Sequence, residues 1–207
     1  MYRYPHIEEA VYENEIADLK KDFLQDVSSP PPSYDLLYEF LKAENEKLYE
    51  TGQEGLKDAF SYEQPTVDLS KYGIEDNCIG FISLPSIKVE IPIYLGANTE
   101  NMRIGAVHLT QTSYPIGGNN TNSVIAAHRG STKVMFRNIH QIKIGDEIII
   151  TNFREVLKYH VAERKIIYPT DIQELLIQDN RDMLTLITCD PPGKNYQRYV
   201  LYCERAD

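Results

Sequence analysis

Tryptophan is missing from this 207-residue chain, and cysteine appears only three times, at Cys78, Cys189 and Cys203. Three cysteines are too few for a disulfide scaffold, so an apolar core has to hold the fold. No apolar run reaches the roughly 18 residues of a membrane span, and no signal-peptide h-region is present. Those two absences leave a cytosolic protein or a longer chain whose ends have been removed. Positive charge is also scarce: 21 Lys and Arg stand against 31 Asp and Glu, a formal net charge of -10. A surface of that sign repels a phosphate backbone, which argues against nucleic acid as a partner. No CxxC pair and no His/Cys cluster at ligand spacing occurs, so neither a metal nor a cofactor is expected. Internal repeats and low-complexity tracts are absent too.

What is present is ordinary for a globular protein, with 42% hydrophobic and 25% charged residues. The length suits one large domain, or a domain with an appendage. Tyrosine is abundant, at 15 residues, which hints at half-wet surfaces. In the N-terminal third, Ile16, Leu19, Phe23 and Val27 recur at helical spacing. Ser28-Ser29-Pro30-Pro31-Pro32 stops that helix, because consecutive prolines cannot continue it. A second helix is expected from Ser33, a fair N-cap, with Leu37, Phe40, Leu41 and Leu48 on one side and Gly52 as a left-handed cap. The two read as an amphipathic hairpin on the main domain. Residues 53–77 have little periodicity and form an unusually long loop, a length typical of lids and binding loops. Inside it, Asp58-Ala59-Phe60-Ser61-Tyr62 sets an acid beside two aromatics, which a solvated loop with one apolar anchor explains equally well.

From Cys78 onward the pattern turns to strands. They are expected at 78–84, 89–94, 123–127, 147–151, 156–161 and 165–168, divided by Gly, Asn and Pro. Residues 171–178 read as a short crossover helix. Thr185 to Cys189 is a β-branched run that ends in a cysteine. A Pro/Gly loop follows, and Arg198 opens a further run, Tyr199-Val200-Leu201-Tyr202. The total is about eight short strands, which suits a closed β-barrel or a sandwich. A thiol beside a fixed cation is a plausible nucleophile, since the cation favours thiolate and oxyanion alike. A buried structural cysteine at a strand end accounts for the same residues.

Five histidines could serve Cys189. His6 lies in the first helical region, His108 follows Gly105 on a strand, His140 sits in a polar turn and His160 in an alternating strand. His128 differs: it ends the run Ser123-Val124-Ile125-Ala126-Ala127 and is followed at once by Arg129-Gly130-Ser131. A ring at a strand end beside a glycine-containing loop can reach a cleft, which favours His128.

Several segments, taken in order, resemble the sortases. They are Ala127-His128-Arg129-Gly130, Met135-Phe136-Arg137-Asn138-Ile139, Ile144-Gly145-Asp146, Leu184-Thr185-Leu186-Ile187-Thr188-Cys189 and Arg198. Upstream, Gly80-Phe81-Ile82-Ser83-Leu84-Pro85, Ile91-Pro92-Ile93-Tyr94-Leu95-Gly96, Gly105-Ala106-Val107-His108-Leu109 and Pro115-Ile116-Gly117-Gly118-Asn119 extend the likeness over about residues 78–205. The His-Arg-Gly form, the helices and the loop look most like class C, the pilus-assembling sortases.

The resemblance implies a mainly β fold: an eight-stranded sortase-type β-barrel at 78–207, an N-terminal helical region at 1–52 and a lid-like loop at 53–77. It implies His128, Cys189 and Arg198 as the catalytic trio. It further implies cleavage of an LPXTG-like sorting signal between Thr and Gly through a thioester, resolved by a lysine amine of another pilin subunit. The partners are then sorting-signal peptides of pilins or surface proteins. The full-length protein is expected to be membrane-anchored on the outer face of a Gram-positive cell, with this chain as its excised ectodomain. Many class C members carry an Asp-Pro-aromatic lid. Here Asp58 and Phe60 occupy that place with Ala59 between them, so Asp58 is expected to pair with Arg198 and Phe60 to cover Cys189. The missing proline is expected to loosen the loop. Asp190 departs from the class C pattern and is expected to raise the Cys189 pKa unless it points outward. Cys203 falls on the face opposite Arg198, and a Cys78–Cys203 bridge is open in an oxidising exterior. A sortase that anchors single proteins to cell-wall peptide amines shares the same trio. A non-catalytic β-barrel binding module is the reading from a different class, and labelling of Cys189 by a thiol-reactive probe, blocked by a sorting peptide, dismisses it.

Overall fold

The computed structural model describes residues 5–130 and 133–206. Ser131 and the His6 side chain lie outside them. Helix α1 (Pro5–Ser28) turns Tyr12, Ile16 and Phe23 to the core, with Leu19 and Val27 packed at the margin. These positions fall three or four apart, so one stripe of the helix is buried. The proline run ends α1, and Pro32 opens α2 (Pro32–Thr51), where a first-turn residue needs no N–H partner.

Two details of α2 correct the sequence reading. Pro31, not Ser33, is the N-cap, and Ser33 Oγ donates to the Tyr72 carbonyl at 2.7 Å. The buried line is Tyr34, Leu37, Leu41 and Asn45, while Phe40 is 40% exposed and stacks on Tyr72. Asn45 tolerates burial because its amide bonds both the N–H and the carbonyl of Tyr114, at 2.7 and 3.3 Å. Gly52 closes the helix at φ 69°, in the left-handed region as expected.

The strands are β1 (Cys78–Leu84), β2 (Val89–Leu95), β3 (Ala106–His108), β4 (Thr121–Ala126), β5 (Glu147–Asn152), β6 (Val156–Ile167), β7 (Asp182–Asp190) and β8 (Gln197–Arg205). They close into a barrel in the order β1-β2-β3-β4-β7-β8-β6-β5, which removes every sheet edge and settles the choice between barrel and sandwich. The membership differs from expectation. The two runs at 156–161 and 165–168 are one strand, β6, whose register shifts at a bulge between Val161 and Glu163. The vacated place is taken by β3, three residues long. A short helix α3 (Thr99–Ile104), absent from the sequence reading, precedes it, and the crossover expected at 171–178 is a 3₁₀ turn at Ile172–Leu175.

Two apolar clusters divide the strand faces. One holds Ile148 and Ile150 of β5, Leu157 and Tyr159 of β6, Leu184 and Leu186 of β7, and Leu201 and Cys203 of β8; it continues under α1 and α2. The alternate positions of β4, β7 and β8, namely Val124, Ala126, Met183, Ile187, Val200 and Tyr202, form the second. Leu56 and Ala59 of the long loop are buried in that second cluster, and Phe60 packs against it. The loop is therefore fastened over the outer wall of β4, β7 and β8. It also crosses Gly96, just after β2, where φ is +86° and a Cβ would stand 2.5 Å from the Pro65 nitrogen. Only glycine meets both conditions.

All three cysteines are free thiols, which corrects the open Cys78–Cys203 bridge. Cys78 lies on β1 and Cys203 on β8, with β5 and β6 between them in the barrel order. A disulfide needs its two Cα atoms within about 7 Å, closer than strands so placed allow.

His108 is 2% exposed on β3, with Nε2 3.0 Å from the Ser113 carbonyl and 3.2 Å from that of Thr112. Burial pushes its pKa down to about 4. Protonation therefore favours the unfolded chain. The neutral ring's contribution is whole above about pH 6.5 and declines as pH falls toward 4, a loss of about 2–3 kcal/mol by pH 4.5. Urea unfolding at pH 7.5 and 4.5 should show a smaller drop in His108→Gln than in the parent. Equal drops would remove His108 as the cause.

Candidate active site

Strand alternation explains why three distant residues share one face. Val124 and Ala126 of β4 belong to the outer cluster, and His128 continues that parity. Ile187 and Cys189 do so on β7, as do Arg198, Val200 and Tyr202 on β8. The antiparallel register places Cys189 directly opposite Arg198. The parallel register pairs Ala126 with Ile187, and two further residues bring His128 level with Cys189. Thr188 Oγ1 donates to the Ala127 carbonyl at 2.6 Å, and Phe136 N donates to the His128 carbonyl at 3.1 Å, so the backbone on both sides of the imidazole is held.

Cys189 is half-buried, and Arg198 is 1% exposed. Arg198 Nη1 stands 4.0 Å from Cys189 Sγ, and Sγ is 3.9 Å from Asn195 Oδ1. Arg198 Nε and Nη2 both reach the Asp58 carboxylate, each at 2.7 Å. This fork-to-carboxylate geometry suits arginine and not lysine. The Phe60 ring stacks on His128 with centroids 6.1 Å apart, and the Arg198 guanidinium lies 4.8 Å from the Phe60 centroid. Without a proline at position 59, the turn is held by Ser61 N on the Asp58 carbonyl, Phe60 N on the Asp58 carboxylate, and the burial of Ala59.

Phe60, Tyr62, His128, Cys189, Lys194 and Asn195 are among the residues lining a cleft of about 530 Å³. Burial raises the Cys189 thiol; the Arg198 cation opposes this and the Asp58 carboxylate adds to it. Burial also lowers the His128 imidazole. With the loop in this position burial favours the neutral form of both groups. The acid that reinforces the thiol is thus Asp58, and Asp190 meets the exception left open in the sequence reading. The Asp190 side chain is turned away into an ion pair with Arg129. Asn195 and Tyr62 were not legible as site residues. One lies in the β7–β8 loop without a distinguishing pattern, and the other is a positive-φ residue in the long loop. His140 and His160 are exposed and lie apart from the residues lining this cleft.

Comparison with known proteins gives the family. Residues 82–206 match the Sortase domain family model. Sortase A of Listeria monocytogenes is 32% identical over 127 residues, 61% of this chain and 55% of that protein. Sortase A of Bacillus anthracis is 29% identical over 156 residues, 74% of this chain and 72% of that one. Among solved structures, Sortase C1 of GBS Pilus Island 1 superposes with a TM-score of 0.82 at 29% identity, covering 91% of this chain and 90% of that one. Sortase C from Clostridium perfringens superposes with a TM-score of 0.76, also at 29% identity, covering 92% and 99%. The chain spans only about half to two-thirds of the length of some curated relatives. A family model that covers most of the barrel, on a chain whose eight strands close in this order, makes this protein a member of the sortase family.

Proposed function

We propose that the chain is a cysteine transpeptidase in which Cys189, His128 and Arg198 act on an LPXTG-like sorting signal. Once substrate displaces the loop, the Cys189 thiol passes its proton to His128; the resulting thiolate attacks the Thr carbonyl carbon, and the oxyanion that develops takes a hydrogen bond from Arg198. A peptide nitrogen leaves poorly unless protonated, and His128 as imidazolium supplies that proton. The C–N bond breaks, the Gly amine departs and a thioester remains. An incoming amine then attacks the thioester and gives its proton to His128, and the thiolate is released. The observation that carries this reading is the direct cross-strand pairing of Cys189 with Arg198, with Nη1 aimed at the sulfur.

The acceptor we propose is a lysine side chain of another pilin subunit. The support is the structural likeness to Sortase C1 of GBS Pilus Island 1 and to a pilus-related sortase C of Group B Streptococcus. The loop at 53–62 supports the same class, since Asp58 and Phe60 lie on Arg198 and His128. In this reading residues 53–77 are a lid that takes up the Arg198 donors until a substrate displaces it, and residues 1–52 are a separate helical region beside the barrel at 78–207. No described helix is long and apolar enough to cross a membrane. The membrane anchor on the outer cell face is proposed from the family. The test offers a sorting peptide with a lysine-bearing pilin fragment and a wall-type peptide amine side by side. Joining to the lysine is expected. Joining to the wall-type amine alone would favour the anchoring sortase instead, and no cleavage by parent or Asp58→Ala would overturn the reading.

A further inference from the structure

Arg129 and Asp190 each follow a candidate catalytic residue, His128 and Cys189, although they stand 61 positions apart in the chain. Their side chains form an ion pair at 7% and 19% exposure. The Arg129 guanidinium also lies 5.1 Å from the Tyr199 ring centroid, and Tyr199 pairs with Thr188 across β7 and β8. Beside this pair the two loops touch backbone to backbone: a Cβ on Gly130 would stand 2.7 Å from both Cα and N of Gly193. On the preceding side, Ala127 N bonds the Ile187 carbonyl and Thr188 Oγ1 bonds the Ala127 carbonyl. His128 and Cys189 are therefore bracketed, by contacts between residues before both and by the ion pair between residues after both.

We propose that Arg129 and Asp190 are positioning residues, a clamp that sets the spacing of His128 and Cys189 and keeps the Asp190 carboxylate off the sulfur. Arg129 Nε is buried without a hydrogen-bond partner among the described residues. A buried pair with an orphan donor is a poor device for stability. It is a good device for register, because moving either chain breaks the charge pair. Among the described residues, the charged and titratable groups around the sulfur are Arg198 on β8, Asp58 and Tyr62 on the long loop, His128 and Arg129 after β4, Asp190 on β7 and Lys194 in the next loop. Of these, Asp190 is covalently nearest. Its charge is directed at Arg129.

The importance of the clamp rests on the transpeptidase reading, but its test needs no peptide. The full chain is alkylated with iodoacetamide across pH, and modification of Cys189 is followed by peptide mass, which separates it from the buried Cys78 and Cys203. In Arg129→Gln the freed carboxylate disfavours the thiolate, so the midpoint should rise by about one pH unit. In Arg129→Gln/Asp190→Asn it should return to the parent's value. An unchanged midpoint in the single variant, or an equal rise in the double, overturns the proposal. If Arg129→Gln does not fold, Asp190→Asn carries the test. It leaves the Arg129 cation unbalanced near the sulfur, so its midpoint should fall, and an unchanged one overturns the clamp. Thioester formation by the parent with a sorting peptide is scored separately, so failure of the clamp and failure of the transpeptidase reading give different results.

Discussion

Arg198→Lys should lower the rate of sorting-peptide cleavage by about 10²–10³-fold, the usual cost of losing one oxyanion donor. Charge is conserved in this substitution, so the loss measures geometry. Arg198 is 1% exposed and divides its three nitrogens, with Nη1 toward the sulfur and Nε and Nη2 on Asp58. A lysine ammonium is one point at the end of a flexible stem and cannot do both. Because the substitution also strands the Asp58 carboxylate, the comparison is made against Asp58→Ala. The double variant Asp58→Ala/Arg198→Lys should remain about 10²-fold slower than Asp58→Ala alone. A double variant within threefold of that reference would mean that Arg198 serves only to hold the loop.

Asp58→Ala should act in the opposite direction and raise the initial cleavage rate by about tenfold, with Phe60→Ala following it. The Asp58–Arg198 pair has two charge-assisted bonds, each of a kind worth about 1.5–3 kcal/mol, set against the entropy of ordering the loop. A net bias of about 1.4 kcal/mol toward the closed loop gives the tenfold figure. Asp58→Ala should also shift Cys189 alkylation to lower pH. Asp58 raises the thiol, so its removal favours the thiolate, and exposing the half-buried sulfur acts in the same direction. Initial rates with one sorting peptide and the alkylation profile check both effects. Unchanged rates in both variants would remove the lid from the mechanism.

The sequence carries the candidate trio for a physical reason. Cys189 and Arg198 flank one short loop, so pairing β7 with β8 brings them together with little freedom. His128 ends its own apolar run, and two-residue alternation puts it on the same face. The Asp58–Arg198 contact was reached only through the family resemblance, since no local pattern links positions 58 and 198. Arg129–Asp190 was missed because two opposite charges 61 positions apart look no different from any other pair. Which way Asp190 turns is therefore not legible without that partner. The β6 bulge reads as two strands because Ala162-Glu163-Arg164-Lys165 breaks the apolar alternation, and β3, although His108 reads as lying on a strand, is too short to stand in the count of eight. Phe40 reads as an inward position because helical spacing cannot tell a buried position from a half-covered one at the edge of the stripe.

The most direct test of the account is the intact mass of Asp58→Ala after brief exposure to an LPXTG-type peptide. A mass increase equal to the acyl fragment up to Thr is expected, lost on addition of hydroxylamine and absent in Asp58→Ala/Cys189→Ala. Cleavage of the peptide with no adduct at Cys189, or an adduct that survives the Cys189→Ala substitution, would contradict a thioester mechanism at this site.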